Sequence, residues 1–160
     1  MNDIFTRMND EVPKYMENIC KKYKMKCQKI SDLETAMYNE KSCLLIVIDR
    51  FDAGVEVVVR EDGMTKEYPC WNYFALKFDA ADRVGLITDP KDEMKDVKNY
   101  LIVMANGLDN KWGAVLEGDK SWLEDYKQSE WCSERKCFVE ERNRLLNAIL
   151  DSMEETSPAK

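Results

Sequence analysis

Histidine is missing from this 160-residue chain, and with it the side chain that most often serves as a general base near neutral pH. The Ser-His and Cys-His arrangements of nucleophilic catalysis are therefore excluded. Glycine and proline are scarce, at six and four residues, and 44% hydrophobic against 34% charged residues is a balance that excludes extensive disorder. No unbroken apolar run exceeds six residues, as at Cys43–Ile48. A membrane helix needs about 20. The start of the chain, acidic and with spaced apolar residues, lacks the form of a secretion signal. The expectation is a cytoplasmic protein that engages no membrane.

Glycine-rich phosphate loops are also absent. The one close cysteine pair, Cys132 and Cys137, would lie about 140° apart on a helix and could not converge on one ion, so neither a metal nor a cofactor is expected. Asp109–Gly113 misses the ligand spacing of a calcium loop and reads as a plain turn. Ser133 and Lys136 have the bare Ser-x-x-Lys spacing without its companion motifs, and Ser133 is better explained as a helix cap. The carboxylate pairs Asp49/Asp52, Asp92/Asp96 and Glu140/Glu141 suit a hairpin turn, a helix N-terminus and a solvated face in that order. Two-carboxylate chemistry requires one carboxyl in an apolar pocket, which a sequence does not show. No catalytic residue is assigned, and the chain reads as a protein that is not an enzyme.

Six cysteines would stay reduced in an intracellular chain with its own core, and Cys20, Cys27, Cys43 and Cys70 fall in apolar periodic stretches as small core residues. Residues 3–22 carry a helical stripe (Ile4, Phe5, Met8, Val12, Met16, Ile19, Cys20) with Pro13 inside it, which predicts a kink or a helix beginning near residue 12. From Tyr23 to Gln28 the period is two, a strand whose lysine-rich outer face suits a sheet edge. Ser31–Glu34 has capping-box spacing but sustains no more than a turn.

Cys43–Ile48 reads as a strand buried on both faces. Turns at Asp52-Ala53-Gly54 and Asp62-Gly63 lead into strands at Val55–Arg60 and Met64–Tyr68, a meander that Pro69 ends. Trp71–Phe78 reads as a short helix with a strand as the alternative, followed by a helix from Asp89-Pro90 to Asn106-Gly107 and a loop. A helix opening at Ser121–Glu124 and a last helix from Ser133 through Met153 complete the order. The fold class is α+β: one domain over residues 1–155 with a frayed tail at 156–160. Its four-stranded antiparallel, meander-type sheet is packed on one face by N- and C-terminal helices.

What the chain has in excess is acid. Its net charge is −7, and the imbalance grows from +1 over residues 1–42 to −3 over 43–91 and −5 over 92–160. That sign disfavours nucleic acid as a partner. Residues 109–134 hold seven acids and three of the four tryptophans. Tryptophans anchor protein interfaces, and a one-sign field steers an oppositely charged partner. The candidate partner-binding residues are Asp109, Trp112, Glu117, Asp119, Trp122, Glu124, Asp125, Glu130 and Trp131.

The block Leu44–Arg50, the run Gly54–Val59 and the segment Ala114–Leu123, with Leu116, Gly118, Asp119, Ser121 and Leu123 as its pattern, resemble small acidic bacterial immunity proteins of polymorphic or contact-dependent toxin systems. The resemblance spans residues 40–127 and carries over no binding residue. It implies a non-enzymatic protein-binding module that neutralises a cognate basic toxin, such as a nuclease. The broad apolar face of the last helix suggests the alternative, an oligomeric structural or regulatory adaptor. Monomer and homodimer both fit the sequence.

Overall fold

The computed structural model describes residues 3–156. Helices α1 (Asp3–Tyr15) and α2 (Glu17–Tyr23) precede strands β1 (Lys26–Ser31), β2 (Glu34–Tyr38), β3 (Cys43–Ile48), β4 (Ala53–Glu61) and β5 (Met64–Pro69). Helix α3 (Trp71–Ala75), a 3₁₀ turn at Ala80–Asp82, and helices α4 (Lys95–Leu116), α5 (Ser121–Gln128) and α6 (Glu140–Thr156) follow. No described helix is long and apolar enough to cross a membrane.

The fold is α+β, and its sheet is a meander in which each strand pairs antiparallel with the next, in the order β1-β2-β3-β4-β5. It has five strands, one more than expected. The extra strand is β2, where the sequence offered only a turn. Ser31 Oγ does reach Glu34 Oε1 at 2.6 Å, but this contact lies at the β1–β2 hairpin and opens no helix. Four of the five β2 residues are buried, so no polar alternation marked it as a strand. β1 begins at Lys26 because Tyr23 closes α2 and Lys24 turns out of it with φ 57°. Lys26 and Lys29 are exposed on this edge strand, a placement that discourages pairing with other chains.

Both faces of the sheet are covered, which corrects the one-sided packing expected. Strand side chains alternate in direction. Leu44, Ile46, Ile48, Val55, Val57 and Val59 therefore join Val12, Met16, Leu101, Leu108 and Phe74 in the larger core beneath α1 to α5. Leu45, Val58, Ala36 and Ile30 meet Leu146, Ile149 and Leu150 of α6 on the opposite face. Full burial of each of these large α6 side chains contributes about 1.5–3 kcal/mol.

Several boundaries move for identifiable reasons. Pro13 lies within α1, and the break falls just after it, at Met16. The β3–β4 hairpin closes through Asp49 N to Asp52 O at 2.9 Å, so Gly54 belongs to a strand. At the next hairpin Asp62 and Gly63 adopt φ 52° and 75°, the two positive angles of a two-residue turn. Asp89-Pro90 forms a turn ahead of α4, which starts at Lys95 and continues through Asn106-Gly107 to Leu116. Residues 109–113, expected in a loop, therefore lie within α4, which kinks at Trp112 (φ −128°, ψ 24°). Gly107 does not end the helix; it admits the Phe78 ring, which an added Cβ would meet at 2.3 Å.

The last helix begins at Glu140, seven residues later than Ser133. Residues 129–139 instead form an irregular strap from α5 to α6, and Arg135 N donates to Glu67 O at 2.9 Å as a single bridge on the β5 edge. Phe138, expected in the core of that helix, is 90% exposed on the strap. α6 runs through Thr156, and residues 157–160 of the expected tail lie outside the described residues.

Candidate functional site

The acidic tryptophan segment folds as the end of α4, all of α5 and the start of the strap. Two of its tryptophans point inward. Trp112 and Trp122 pack against Phe74 with ring centroids at 4.6 and 5.3 Å, and Tyr73 joins them at 5.8 and 6.3 Å. Their indole N–H groups are also satisfied, Trp112 Nε1 donating to Phe74 O at 3.0 Å and Trp122 Nε1 to Asp119 O at 2.9 Å. Both are thus core residues of the α3–α4–α5 layer. Trp131, at 36% exposure, alone keeps the surface position of a contact residue.

The carboxylates divide in the same way. Asp109 accepts from Lys22 Nζ and Tyr23 Oη, each at 2.8 Å, and the Lys22 bond holds its carboxyl below the ordinary range despite some burial. Asp119 accepts from Ser121 N at 3.0 Å and Ser121 Oγ at 2.9 Å, bonds that lie at the entry to α5 and likewise depress its pKa. This gives the Leu116–Leu123 pattern a structural reason: Gly118 takes φ 96° at the turn, and Asp119 binds Ser121, the first residue of α5. Asp125 accepts the Tyr73 hydroxyl, whose pKa is pushed up to about 12 by burial and by that carboxylate. The carboxylates of Glu117, Glu124 and Glu130 are exposed and hold no ion pair or hydrogen bond among the described residues.

Two concavities flank this ridge. A cleft of about 320 Å³ between α3, α4 and α5 has Tyr73, Trp112 and Trp122 as its aromatic wall and Lys77, Asp119 and Asp125 at its rim. A second, of about 410 Å³, opens where β3 pairs no further than Leu44 with Val57 while β4 runs on to Glu61. It is closed above by Val115 and Trp122 and below by Leu150 and Met153 of α6.

Sequence reasoning missed a buried charge cluster on the α6 face. Arg142 donates to Glu34 on β2 and, through Nη1 at 2.6 Å and through Nη2, to Glu67 on β5. Arg135, on the strap, donates to Glu34 Oε2 at 2.9 Å and Glu56 Oε2 at 3.0 Å. Glu56 Oε1 is buried without a partner. Burial, opposed by Arg135 and reinforced by Glu67, pushes the Glu56 carboxyl up to about 7. Glu34 is also penalised by burial, but its bonds from Arg142 and Ser31 hold its pKa below the ordinary range. The available signal was acid at a core-facing position of a strand, as at Glu56 within Val55–Val59. A carboxyl with a raised pKa is the property of a general acid or base, yet Glu56 lines neither concavity. Its chemistry is turned toward α6 and the strap.

The chain matches no known protein family, no curated protein and no solved structure.

Proposed function

We propose that the protein is a non-enzymatic binding module whose contact surface is the α4–α5 ridge, and that its partner is a basic protein. The immunity role implied by the resemblance over residues 40–127, neutralising a basic toxin domain such as a nuclease, is the concrete form of this reading. The observation that carries it is the state of Glu117, Glu124 and Glu130: three exposed carboxylates that hold no hydrogen bond or ion pair among the described residues, Glu117 lining one concavity and Glu130 next in sequence to the exposed Trp131. Unpaired surface charge of one sign raises the encounter rate with an oppositely charged protein and does little for stability.

The adaptor reading loses its motive, because Leu146, Ile149 and Leu150 of α6 are buried against the sheet. Co-expression with the product of a neighbouring toxin-like gene tests the immunity role. Relief of toxicity supports it, and undiminished toxicity without complex formation refutes it. For the surface, E117K/E124K/E130K is the informative variant, since these side chains hold nothing in the fold. Association should slow mainly at low ionic strength. Equal slowing at high salt would remove the steering argument.

A further inference from the structure

The cleft between α3, α4 and α5 already contains a cation. Lys77 Nζ lies 4.2 Å from the centroid of the Trp112 ring, and Lys77 is exposed and has no carboxylate partner among the described residues. Its neighbour Lys111, by contrast, is held by Asp79 and Asp82 at 3.2 and 3.0 Å. Trp112 is thus packed on Phe74 while its ring also receives an ammonium, through the attraction between cation and ring quadrupole. Such a contact, made by a flexible surface side chain, is readily exchanged for a better one.

The same cleft offers an acceptor. Both oxygens of Asp119 are occupied by Ser121, and Asp125 Oδ2 takes the Tyr73 hydroxyl, but Asp125 Oδ1 accepts nothing among the described residues. An aromatic face and an unfilled carboxylate oxygen bordering one cleft of about 320 Å³ suit a group that is flat, cationic and rich in in-plane donors. Guanidinium has these properties. It stacks and donates at once and is less strongly hydrated than an ammonium, so it gains more from such a site than lysine does.

We propose that this cleft seats one arginine side chain of the basic partner, which displaces Lys77 from the face of Trp112 and donates to Asp125. The assignment rests on the acidic-ridge reading and narrows it from basic proteins in general to those that present an exposed arginine.

Octa-arginine and octa-lysine peptides, titrated at low salt against the full chain, separate the two levels. Octa-arginine should bind about five-fold more tightly than octa-lysine, the equivalent of one stacked, hydrogen-bonded group. That preference should widen in Lys77→Ala, collapse in Asp125→Asn, and be accompanied by a shift of the Trp112 indole N–H resonance. Circular dichroism confirms that both variants fold. Equal binding of the two peptides, a preference untouched by Asp125→Asn, or an unmoved Trp112 resonance would each overturn the arginine seat while leaving the acidic ridge standing. Failure of both peptides to bind would overturn the ridge itself and the seat with it.

Discussion

Arg142 on α6 holds Glu34 on β2 through Nε, at 3.2 and 3.3 Å to the two carboxylate oxygens, and through Nη2 at 2.8 Å, across 108 residues of chain. Arg142 is 2% exposed and Glu34 5%, so the pair is fully desolvated. Replacing Arg142 by alanine leaves Glu34 and Glu67 buried without their principal cation. The expected loss is about 3–5 kcal/mol in urea denaturation. Arg144→Ala is the control, because its pair with Glu141 is about two-thirds exposed on both sides and should change stability by no more than about 0.5 kcal/mol. Similar effects for the two variants would contradict the role given to burial.

Two carboxyls of this cluster respond to pH with opposite sign. The Glu56 carboxyl is raised from 4.5 to about 7, so between these values the folded state retains a proton that the unfolded chain has released. Stability from this group is full below about pH 4.5 and declines as pH rises toward 7, by on the order of 2 kcal/mol. Glu34 is depressed, so its contribution is present above its unfolded value and is lost as pH falls through the lower folded one. Together they place the cluster's optimum near pH 5. Glu56→Gln should flatten the decline from pH 5 to 7 and be more stable than the parent at pH 7.5, as read by denaturation at each pH.

Gly107→Ala offers a test of packing against propensity. In the interior of a helix this change ordinarily stabilises by about 1 kcal/mol. Here the new Cβ would lie 2.3 Å from two atoms of the Phe78 ring, and the expected outcome is a destabilisation of about 1–3 kcal/mol. Combining it with Phe78→Ala should lower that cost, a coupling visible in a thermal double-mutant cycle.

Cys20 and Cys27 are less deeply buried than core cysteines, and their sulfurs lie 3.7 Å apart, while Cys43 and Cys70 are enclosed as expected. The bond with Cys27 keeps the Cys20 thiol below its usual pKa even though burial opposes this. Treatment with diamide, which takes up the two electrons and two protons, should join Cys20 to Cys27 with loss of two hydrogens per chain. Peptide mass mapping reads the product, and Cys20→Ser should prevent it. Modification confined to the exposed Cys132 would show that the pair does not close.

The strands that alternate or run apolar between turn residues, β3, β4 and β5, were legible within a few residues, because Asp62-Gly63 dictates its own turn and Pro69 its own stop. β2 was not, since burial on both faces removes alternation and Glu34, a buried acid, looks like a surface residue until Arg142 arrives from the far end of the chain. The α6 boundary failed for a related reason. Ser133 and Phe138 carry local helix signals, but Arg135 is taken by the β5 edge and by Glu34 and Glu56, which draws the segment out into a strap. In the acidic segment the sequence left open whether Trp112 and Trp122 are exposed or core, because their side chains suit an interface and a core equally well. Only their neighbours Phe74 and Tyr73 decide between the two.

The strap and α6 also set an order of events in synthesis. All five strands leave the ribosome before residue 70, but the apolar patch of Ile30, Ala36, Leu45 and Val58, with Glu34, Glu56 and Glu67 beside it, is covered only by residues beyond 134. Between the synthesis of β5 and that of the strap the nascent chain carries a sheet with one raw side, the kind of transiently exposed surface on which chaperones act. The arginines that quench those three acids, Arg135 on the strap and Arg142 in the first turn of α6, follow the strands by more than 60 residues, so the strap and α6 decide whether the early strands stay put.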